Sequence, residues 1–210
     1  MPYDYLRDPA AIYQRSFALI REETDLTRFP QALHAIALRL VHAVADPTIL
    51  PDLAWSDGAV EAGQTALARG APVLVDAQMV AHGIIRARLP AGNAVTCLLD
   101  DPAVLALSRQ RKTTRSAAAL ELWVPLLDGA VVAIGNAPTA LFRLLELIEE
   151  GAPRPALVFG FPVGFVGAAE SKAALAANSL GVAYIALAGR RGGSALAAAA
   201  VNALAGDEAY

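Results

Sequence analysis

The segment Ala130-Val-Val-Ala-Ile-Gly135, followed at once by Asn136-Ala-Pro138, decides the fold of this chain. A short apolar run that ends at a glycine is typical of a strand buried on both faces. Pro138 suits the first turn of a following helix, and Asn136 is its predicted N-cap. Four other segments repeat the pattern and are predicted strands: Pro72–Asp76, Val95–Leu99, Ala156–Phe161 and Ala183–Leu187.

Helical patterns lie between these strands, and they predict a mostly parallel sheet with helices on both faces. Right-handed crossovers then give a doubly wound, five-stranded α/β core over residues 71–210. The first 70 residues predict amphipathic helices instead, near 9–23, 30–45 and 57–69. We therefore expect one domain of residues 1–210, in which residues 1–70 form a helical N-terminal arm.

Composition excludes several functional classes. The chain has 210 residues and a formal net charge of −3, which argues against a nucleic-acid-binding surface. No apolar run approaches about 18 residues without proline or charge, so no membrane-spanning helix is expected. The first residues show no signal-peptide pattern. Cys97 is the only cysteine and cannot form an internal disulfide, so we expect a protein of the reducing cytoplasm.

The segment Arg39-Leu-Val-His42 places a cation and an imidazole one helical turn apart. Both residues flank the apolar stripe of the predicted helix over 30–45. A nearby cation disfavours a charged imidazole and a helix C-terminus favours it, so the group could transfer protons near neutrality. A core-edge histidine that a neighbour satisfies explains the residues equally well. Both interpretations of His42 stay open at this point.

Other polar residues follow predicted strands or begin predicted helices. Glycine-rich turns follow three strands, and the last one places Ser194 at a helix start, where N–H groups favour an anion. Arg115, after Thr114, stands at a helix start where the dipole disfavours a cation. A ligand contact and an exposed salt bridge both explain Arg115. Ser16 lies on an apolar helix face and could simply bond to its own helix.

Motifs of common cofactor enzymes and hydrolases do not occur in the sequence. The turn after Ala156–Phe161 spaces its glycines as G-x-x-x-G-x-x-G, which differs from the dinucleotide fingerprint G-x-G-x-x-G. The chain has no phosphate-binding G-x-x-x-x-G-K-[ST] motif and no G-x-S-x-G nucleophile elbow. Its three histidines are dispersed, so no metal site is expected.

Seven stretches, in order along nearly the whole chain, resemble the precorrin-8X methylmutase family of cobalamin biosynthesis. The last three are the most specific. The stretches are Ile12-Tyr-x-x-Ser16-Phe, Arg39-x-Val-His42-Ala, Met79-Val-Ala-His-Gly83 with Arg86-Ala-Arg-Leu-Pro-Ala-Gly-Asn93, Thr114-Arg-Ser-Ala-Ala-Ala119, Val131-Val-Ala-Ile-Gly-Asn-Ala-Pro-Thr-Ala-Leu141, Pro162-Val-Gly-Phe-Val-Gly-Ala-Ala-Glu-Ser-Lys172 and Gly189-Arg-x-Gly-Gly-Ser194.

The resemblance implies an isomerase that shifts a methyl group around ring C of a corrin precursor and yields hydrogenobyrinate. It implies no external cofactor, no metal held by the protein, a tightly held product and a homodimer. The family's catalytic histidine falls on His42, and its substrate-contacting serine and arginine fall on Ser16 and Arg39. A polycarboxylate macrocycle also needs polar groups at the rim of its site. The predicted rim contacts are Arg86, Arg115, Thr114 and Ser194.

The sequence departs from the family pattern at two places near the predicted rim. Ile85 stands where a threonine is expected, and Lys112-Thr113 replaces an expected Gly-Asn before Thr114. Two alternative functions also stay open. A non-catalytic corrinoid carrier would keep the arginine rim but would not need His42, and a nucleotide-dependent α/β oxidoreductase rests on fold analogy alone.

Overall fold

The computed structural model describes residues 3–206, and within this range the chain forms one six-stranded sheet. The strands lie side by side in the order β1-β6-β5-β4-β2-β3. Strands β2 to β6 pair in parallel, and β1 pairs antiparallel with β6 at one edge. The strands are β1 Leu53–Trp55, β2 Val73–Val75, β3 Val95–Thr96, β4 Val131–Ile134, β5 Leu157–Gly160 and β6 Tyr184–Leu187.

This architecture confirms the predicted doubly wound, mostly parallel α/β class, but the predicted number of five strands is wrong. The missed strand, β1, lies inside the segment that was predicted to be a helical arm. It is three residues long and therefore carries no readable period. Pairing with β6 holds it in place, and the Ala188 N–H also donates to the Asp52 carbonyl at 2.8 Å. The predicted domain limits, residues 1 and 210, lie outside the described residues.

Nine α-helices surround the sheet within the described range. Four short 3-10 helices lie at Gln31–Leu33, Pro47–Asp52, Arg86–Arg88 and Val124–Leu126. The α-helices are α1 Pro9–Glu23, α2 His34–Val44, α3 Ala59–Ala68, α4 Gln78–Gly83, α5 Pro102–Arg111, α6 Arg115–Glu121, α7 Pro138–Glu149, α8 Ala168–Ala176 and α9 Ser194–Leu204.

Local sequence explains most of these boundaries. Asp8 caps α1 by accepting from the Ala11 N–H at 2.7 Å, and a proline follows it in the first turn. Helix α6, whose start at Thr114-Arg115 the sequence indicated, ends at Glu121. Pro125 lacks an N–H and cannot continue the α-helix, so a 3-10 turn follows it at Val124–Leu126.

The helices divide between the two faces of the sheet. Helices α2, α3, α4 and α9 pack over one face, and α6, α7 and α8 cover the other. Helix α9 is the centre of the first layer, because α2, α3 and α4 all pack against it. Its interior positions are mostly alanine, and Ala197 and Ala200 are fully buried. Small side chains let these helices approach closely and place α2 beside α9.

The chain changes faces between β2 and β4, which are neighbours in the sheet. Helix α4 follows β2 onto the α9 side, whereas α7 follows β4 onto the opposite side. In open α/β sheets such a reversal leaves a crevice at the carboxyl ends of the two strands. Helix α9 begins beside this crevice, since a Cβ on Gly135 would lie 2.8 Å from the Ser194 Cα.

Asp76 joins the two sides of this reversal. It directly follows β2 and is 3% exposed. Its carboxylate accepts from the Gly135 N–H at 2.8 Å, the Asn136 N–H at 3.0 Å and the Ala137 N–H at 2.7 Å. The predicted N-cap role of Asn136 is therefore wrong: Ala137 is the N-cap of α7, and Asp76 satisfies the turn from another strand. Burial raises the pKa of Asp76, and the three N–H bonds oppose that rise.

We predict that Asp76→Asn lowers the free energy of unfolding by about 2–4 kcal/mol at neutral pH. Both carboxylate oxygens of Asp76 accept from N–H groups of the turn. In asparagine an NH2 group replaces one of these oxygens, so at least one N–H of the turn loses its acceptor. Urea unfolding measures the change. Asp128→Asn is the control, because Asp128 is exposed and lies just before β4, at the amino ends of the strands. It should change stability by less than about 0.5 kcal/mol. Equal stability of Asp76→Asn and wild type would refute this role.

Candidate active site

Ser16, Arg39 and His42 lie together where α1 packs on α2. The Ser16 Oγ is 3.1 Å from the His42 Nδ1. The His42 ring stacks on Phe17, with ring centroids 5.0 Å apart and an interplanar angle of 14°. Ser16 and Phe17 thus fix the imidazole from α1, while the ring itself stays exposed. The structure brings together the three residues that the resemblance singled out.

Arg39 is buried against aromatic rings. It is 9% exposed, and its Nη2 donates to the Tyr13 hydroxyl at 2.7 Å. Its guanidinium lies 5.4 Å from the centroid of the Tyr13 ring and 5.1 Å from that of Phe17. Cation–π contacts of this kind stabilise a desolvated guanidinium and fix its orientation. Arg39 is therefore a rigid cation beside the imidazole.

This α1–α2 cluster lies at the carboxyl edge of the sheet, by which we mean the end of the sheet where the carboxyl ends of its parallel strands lie. Helix α2 ends at Val44; its C-cap Ala45 has a left-handed φ of 51°, and Asp46 follows. The guanidinium of Arg191, in the turn after β6, contacts the Asp46 carboxylate at 3.2 Å. The C-terminal end of α2 therefore lies beside the turn that leads into Ser194 at the start of α9. His42 is one helical turn before Asp46 and shares this edge.

Thr114 and Arg115 lie at the same edge, on the other side of the sheet. The Thr114 Oγ1 caps α6 by accepting from the Ala117 N–H at 3.1 Å, and it is 2.8 Å from the Thr139 Oγ1 in the first turn of α7. Arg115 forms a salt bridge of 3.1 Å with Asp100, which follows β3. The two side chains are 53% and 61% exposed. The salt bridge that was one of the two explanations for Arg115 therefore exists, and it is exposed to water.

Ser194 is the first residue of α9. Its hydroxyl oxygen is buried and forms no hydrogen bond with any described residue. The N-cap of α9 is Gly193, so the helix start has no side-chain cap. A Cβ on Gly192 would lie 2.4 Å from the carbonyl oxygens of Phe161 and Pro162, so glycine is required in this turn. The turn and the helix start together form a polar wall of the crevice.

Arg86 stands apart from both groups. It is exposed, and its Nη2 lies 3.5 Å from the carbonyl of Val95, at the amino end of β3. Asn202, near the C-terminal end of α9, binds the Gly83 carbonyl and the Ile85 N–H on the segment that leads to Arg86. That end of α9 is opposite to Ser194. The structure does not bring Arg86 to the carboxyl edge within one chain.

Four residues that structure the site were not predicted from the sequence. Asp76 had a readable signal, because an acid directly after an apolar strand falls at the carboxyl edge. Tyr13 lies one turn before Ser16, so its proximity to Arg39 needs the packing of α1 on α2. Arg191 and Lys172 had no local signal. Lys172 is 1% exposed, and its Nζ donates to the Arg191 carbonyl at 2.5 Å.

Comparison with known proteins identifies the family. The family model for precorrin-8X methylmutase matches residues 11–206. The chain belongs to this family. A precorrin-8X methylmutase of Pseudomonas aeruginosa is 58% identical, over 96% of this chain and 97% of its own length. Another, of Sinorhizobium sp, is 57% identical over 97% of each chain. The crystal structure of precorrin-8X methyl mutase from Thermus thermophilus is 44% identical, with a TM-score of 0.85 over 93% of this chain and 94% of that one.

The predicted family is thereby confirmed, and the chain is an isomerase of cobalamin biosynthesis. Among residues 3–206 no helix is long and apolar enough to span a membrane. Within the same range no three His, Cys, Asp or Glu side chains are grouped so that they could hold a metal ion.

The ammonium group of Lys172 makes stability depend on pH. Burial lowers its pKa from the ordinary 10.5 to about 8, against the attraction of Asp52. Between these values the unfolded chain binds more protons than the folded chain, so the free energy of unfolding rises with pH. Relative to Lys172→Met, wild type should gain about 2 kcal/mol between about pH 7 and about pH 9.5. Urea unfolding at both pH values measures the gain, and a constant difference would refute it.

Proposed function

We propose that His42 is the acid–base group of the methyl shift and that Ser16 and Arg39 hold the macrocycle beside it. The observation that carries this proposal is the contact of 3.1 Å between the Ser16 Oγ and the His42 Nδ1. In a protonated imidazole both ring nitrogens are donors, so Nδ1–H would donate to the Ser16 Oγ and Nε2–H would stay available to the substrate. The stacked ring of Phe17 fixes the direction in which Nε2 points. His42 would then deliver its proton from one defined position.

The reaction needs only one proton, which His42 would donate and later take back. A protonated His42 would donate to the macrocycle beside ring C and leave a cationic conjugated system. The methyl group would break its bond to one ring-C carbon and form a bond to the adjacent carbon on the same face. Loss of the borrowed proton to His42 would then restore neutrality and give an isomer of the substrate. No electron or atom enters or leaves, so these steps need no external cofactor.

The substrate carboxylates would bind around this centre. Arg115 is held by Asp100 in an exposed ion pair, and such pairs contribute little stability. Replacing Asp100 with a substrate carboxylate would therefore cost little. The Ser194 hydroxyl and the N–H groups at the start of α9 would donate to a second carboxylate, with Thr114 beside Arg115 at the rim. The proposed contact of Arg86 would have to come from a second copy of the chain, which fits a homodimer.

The proposed substrate is precorrin-8X, because relatives that share 57% and 58% of their residues with this chain carry that substrate in their names. The proposed product is hydrogenobyrinate, held tightly after the reaction. The proposed compartment is the cytoplasm, where the lone Cys97 would stay reduced. A carrier that only bound the same macrocycle would need the rim but no acid.

We predict that His42→Ala lowers the rate of isomerisation by about 10²- to 10⁴-fold, because proton transfer to the macrocycle is lost. The variant should still bind hydrogenobyrinate, since the rim is intact. The rate is followed in a single turnover by the absorption change as the conjugation rearranges, and binding by titration with the product. His82→Ala is the matched control: His82 is exposed and bonds to the carbonyl of Gln78 in its own helix, so its loss should leave the rate unchanged.

Full activity of His42→Ala would assign the proton transfer to another group. Binding of the macrocycle without any absorption change in wild type would support the corrinoid carrier instead. Absence of binding in wild type would contradict both functions.

A further inference from the structure

Arg191 joins the two walls of the candidate site. One wall, the α2 wall, is α2 with the segment that follows it, and the other is the turn after β6 with the start of α9. Arg191 lies in the turn that leads from β6 to Ser194, and its guanidinium reaches the segment that follows α2. There Nη1 donates to the Thr48 Oγ1 at 2.8 Å and Nη2 to the Thr48 carbonyl at 2.7 Å. The same group contacts the carboxylates of Asp46 at 3.2 Å and Asp52 at 2.7 Å. One side chain thus binds three residues of the α2 wall.

Lys172 of α8 contacts the same turn. Its Nζ extends from α8 and donates to the Arg191 carbonyl at 2.5 Å. The turn is therefore held twice at one residue, by a buried lysine at its backbone and by acidic residues at its side chain. Asp52 also attracts the Lys172 ammonium, so both cations share one carboxylate neighbourhood.

We propose that Arg191 and Lys172 are positioning residues that set the distance between His42 on α2 and Ser194 on α9. We call the contacts of Arg191 and Lys172 the wall clamp. This proposal rests on the proposed function, in which His42 delivers the proton and the start of α9 holds a substrate carboxylate. Neither clamp residue needs to touch the substrate for this role.

The physical reason is the size of the substrate. A macrocycle held at its rim can place ring C correctly only if the acid and the anchoring groups keep a fixed separation. An error of about 1 Å in such a separation can cost about a hundredfold in rate. Exposed ion pairs contribute little stability, so the expected effect of the clamp is on geometry more than on unfolding. Arginine suits this task, because its planar fork can bind several oxygens at once.

The first test measures the clamp without activity, in Arg191→Gln. The Arg191 side chain is 42% exposed, so the variant should fold. Hydrogen exchange of backbone N–H groups is compared with wild type, and we expect residues 42–48 and 189–194 to exchange about tenfold faster. Lys172→Met should speed exchange in 189–194. Arg143→Gln is the matched control, because Arg143 binds Glu121, Glu146 and Glu150 in a cluster on α6 and α7 and should leave both segments unchanged.

The second test measures single turnover of precorrin-8X. Arg191→Gln should lower the rate constant at saturating substrate by about tenfold to a hundredfold. Asp52→Asn should lower it by a similar factor, and the double variant should be no slower than the slower single variant, because both changes open one clamp. The control Arg143→Gln should turn over like wild type.

The outcomes separate the clamp from the proposed function. Unchanged exchange in residues 42–48 of Arg191→Gln would overturn the clamp, whatever the activity. Faster exchange with an unchanged rate would overturn its role in positioning. A wild type that isomerises no precorrin-8X would overturn the proposed function and with it the positioning role, whereas the exchange result would still decide whether the clamp joins the two walls.

Discussion

One buried carboxylate holds the strands and helices that frame the site. Asp76 directly follows β2 and accepts hydrogen bonds from three N–H groups of the turn that starts α7. These bonds tie together the two neighbouring strands between which the chain changes faces. Without them, three buried or half-buried N–H groups at the carboxyl edge would need other acceptors. The crevice, the start of α7 and the packing of Gly135 against α9 all depend on this arrangement.

Close packing of small residues extends this constraint to the candidate acid. Because Gly135 has no Cβ, the start of α9 can pack against it, and the small alanine side chains of α9 let α2 pack closely. Helix α2 then carries Arg39 and His42 to the edge where Ser194 lies. Helix α1 completes the cluster with Ser16 and two aromatic rings. The polar groups lie on at least four separate elements, so the tight helix packing is what gives them one common edge.

Much of the fold could be predicted from local sequence patterns. The apolar runs and their flanking prolines located β4 and the start of α7, and the predicted helix starts at Pro138 and Ser194 are confirmed. Strand β1 could not be found, because three residues carry no period and pairing with β6 alone makes them a strand. The N-cap assignment to Asn136 was wrong for a related reason: the acceptor comes from a residue 60 positions earlier.

The candidate site was predictable only in part. Helical spacing placed Arg39 beside His42, but the Ser16 hydroxyl reaches the imidazole across 26 residues of sequence, and no local pattern encodes that contact. The resemblance to a family singled out Ser16 and His42 as site residues, but the contact between them was not predicted. The two interpretations of Arg115 turned out to be compatible, since an exposed salt bridge can open for a ligand. Tyr13 and Lys172 act through tertiary contacts, and no local pattern indicated those contacts.

In the proposed complex, both walls of the carboxyl edge bind one macrocycle, with ring C at His42. A crystal structure of the chain with hydrogenobyrinate bound tests it most directly. We expect ring C within about 4 Å of a His42 ring nitrogen and a carboxylate at Ser194 or Arg115. A macrocycle bound elsewhere would contradict it, for example in the cavity of about 360 Å³ beside Arg69 and Asp128 at the opposite edge of the sheet.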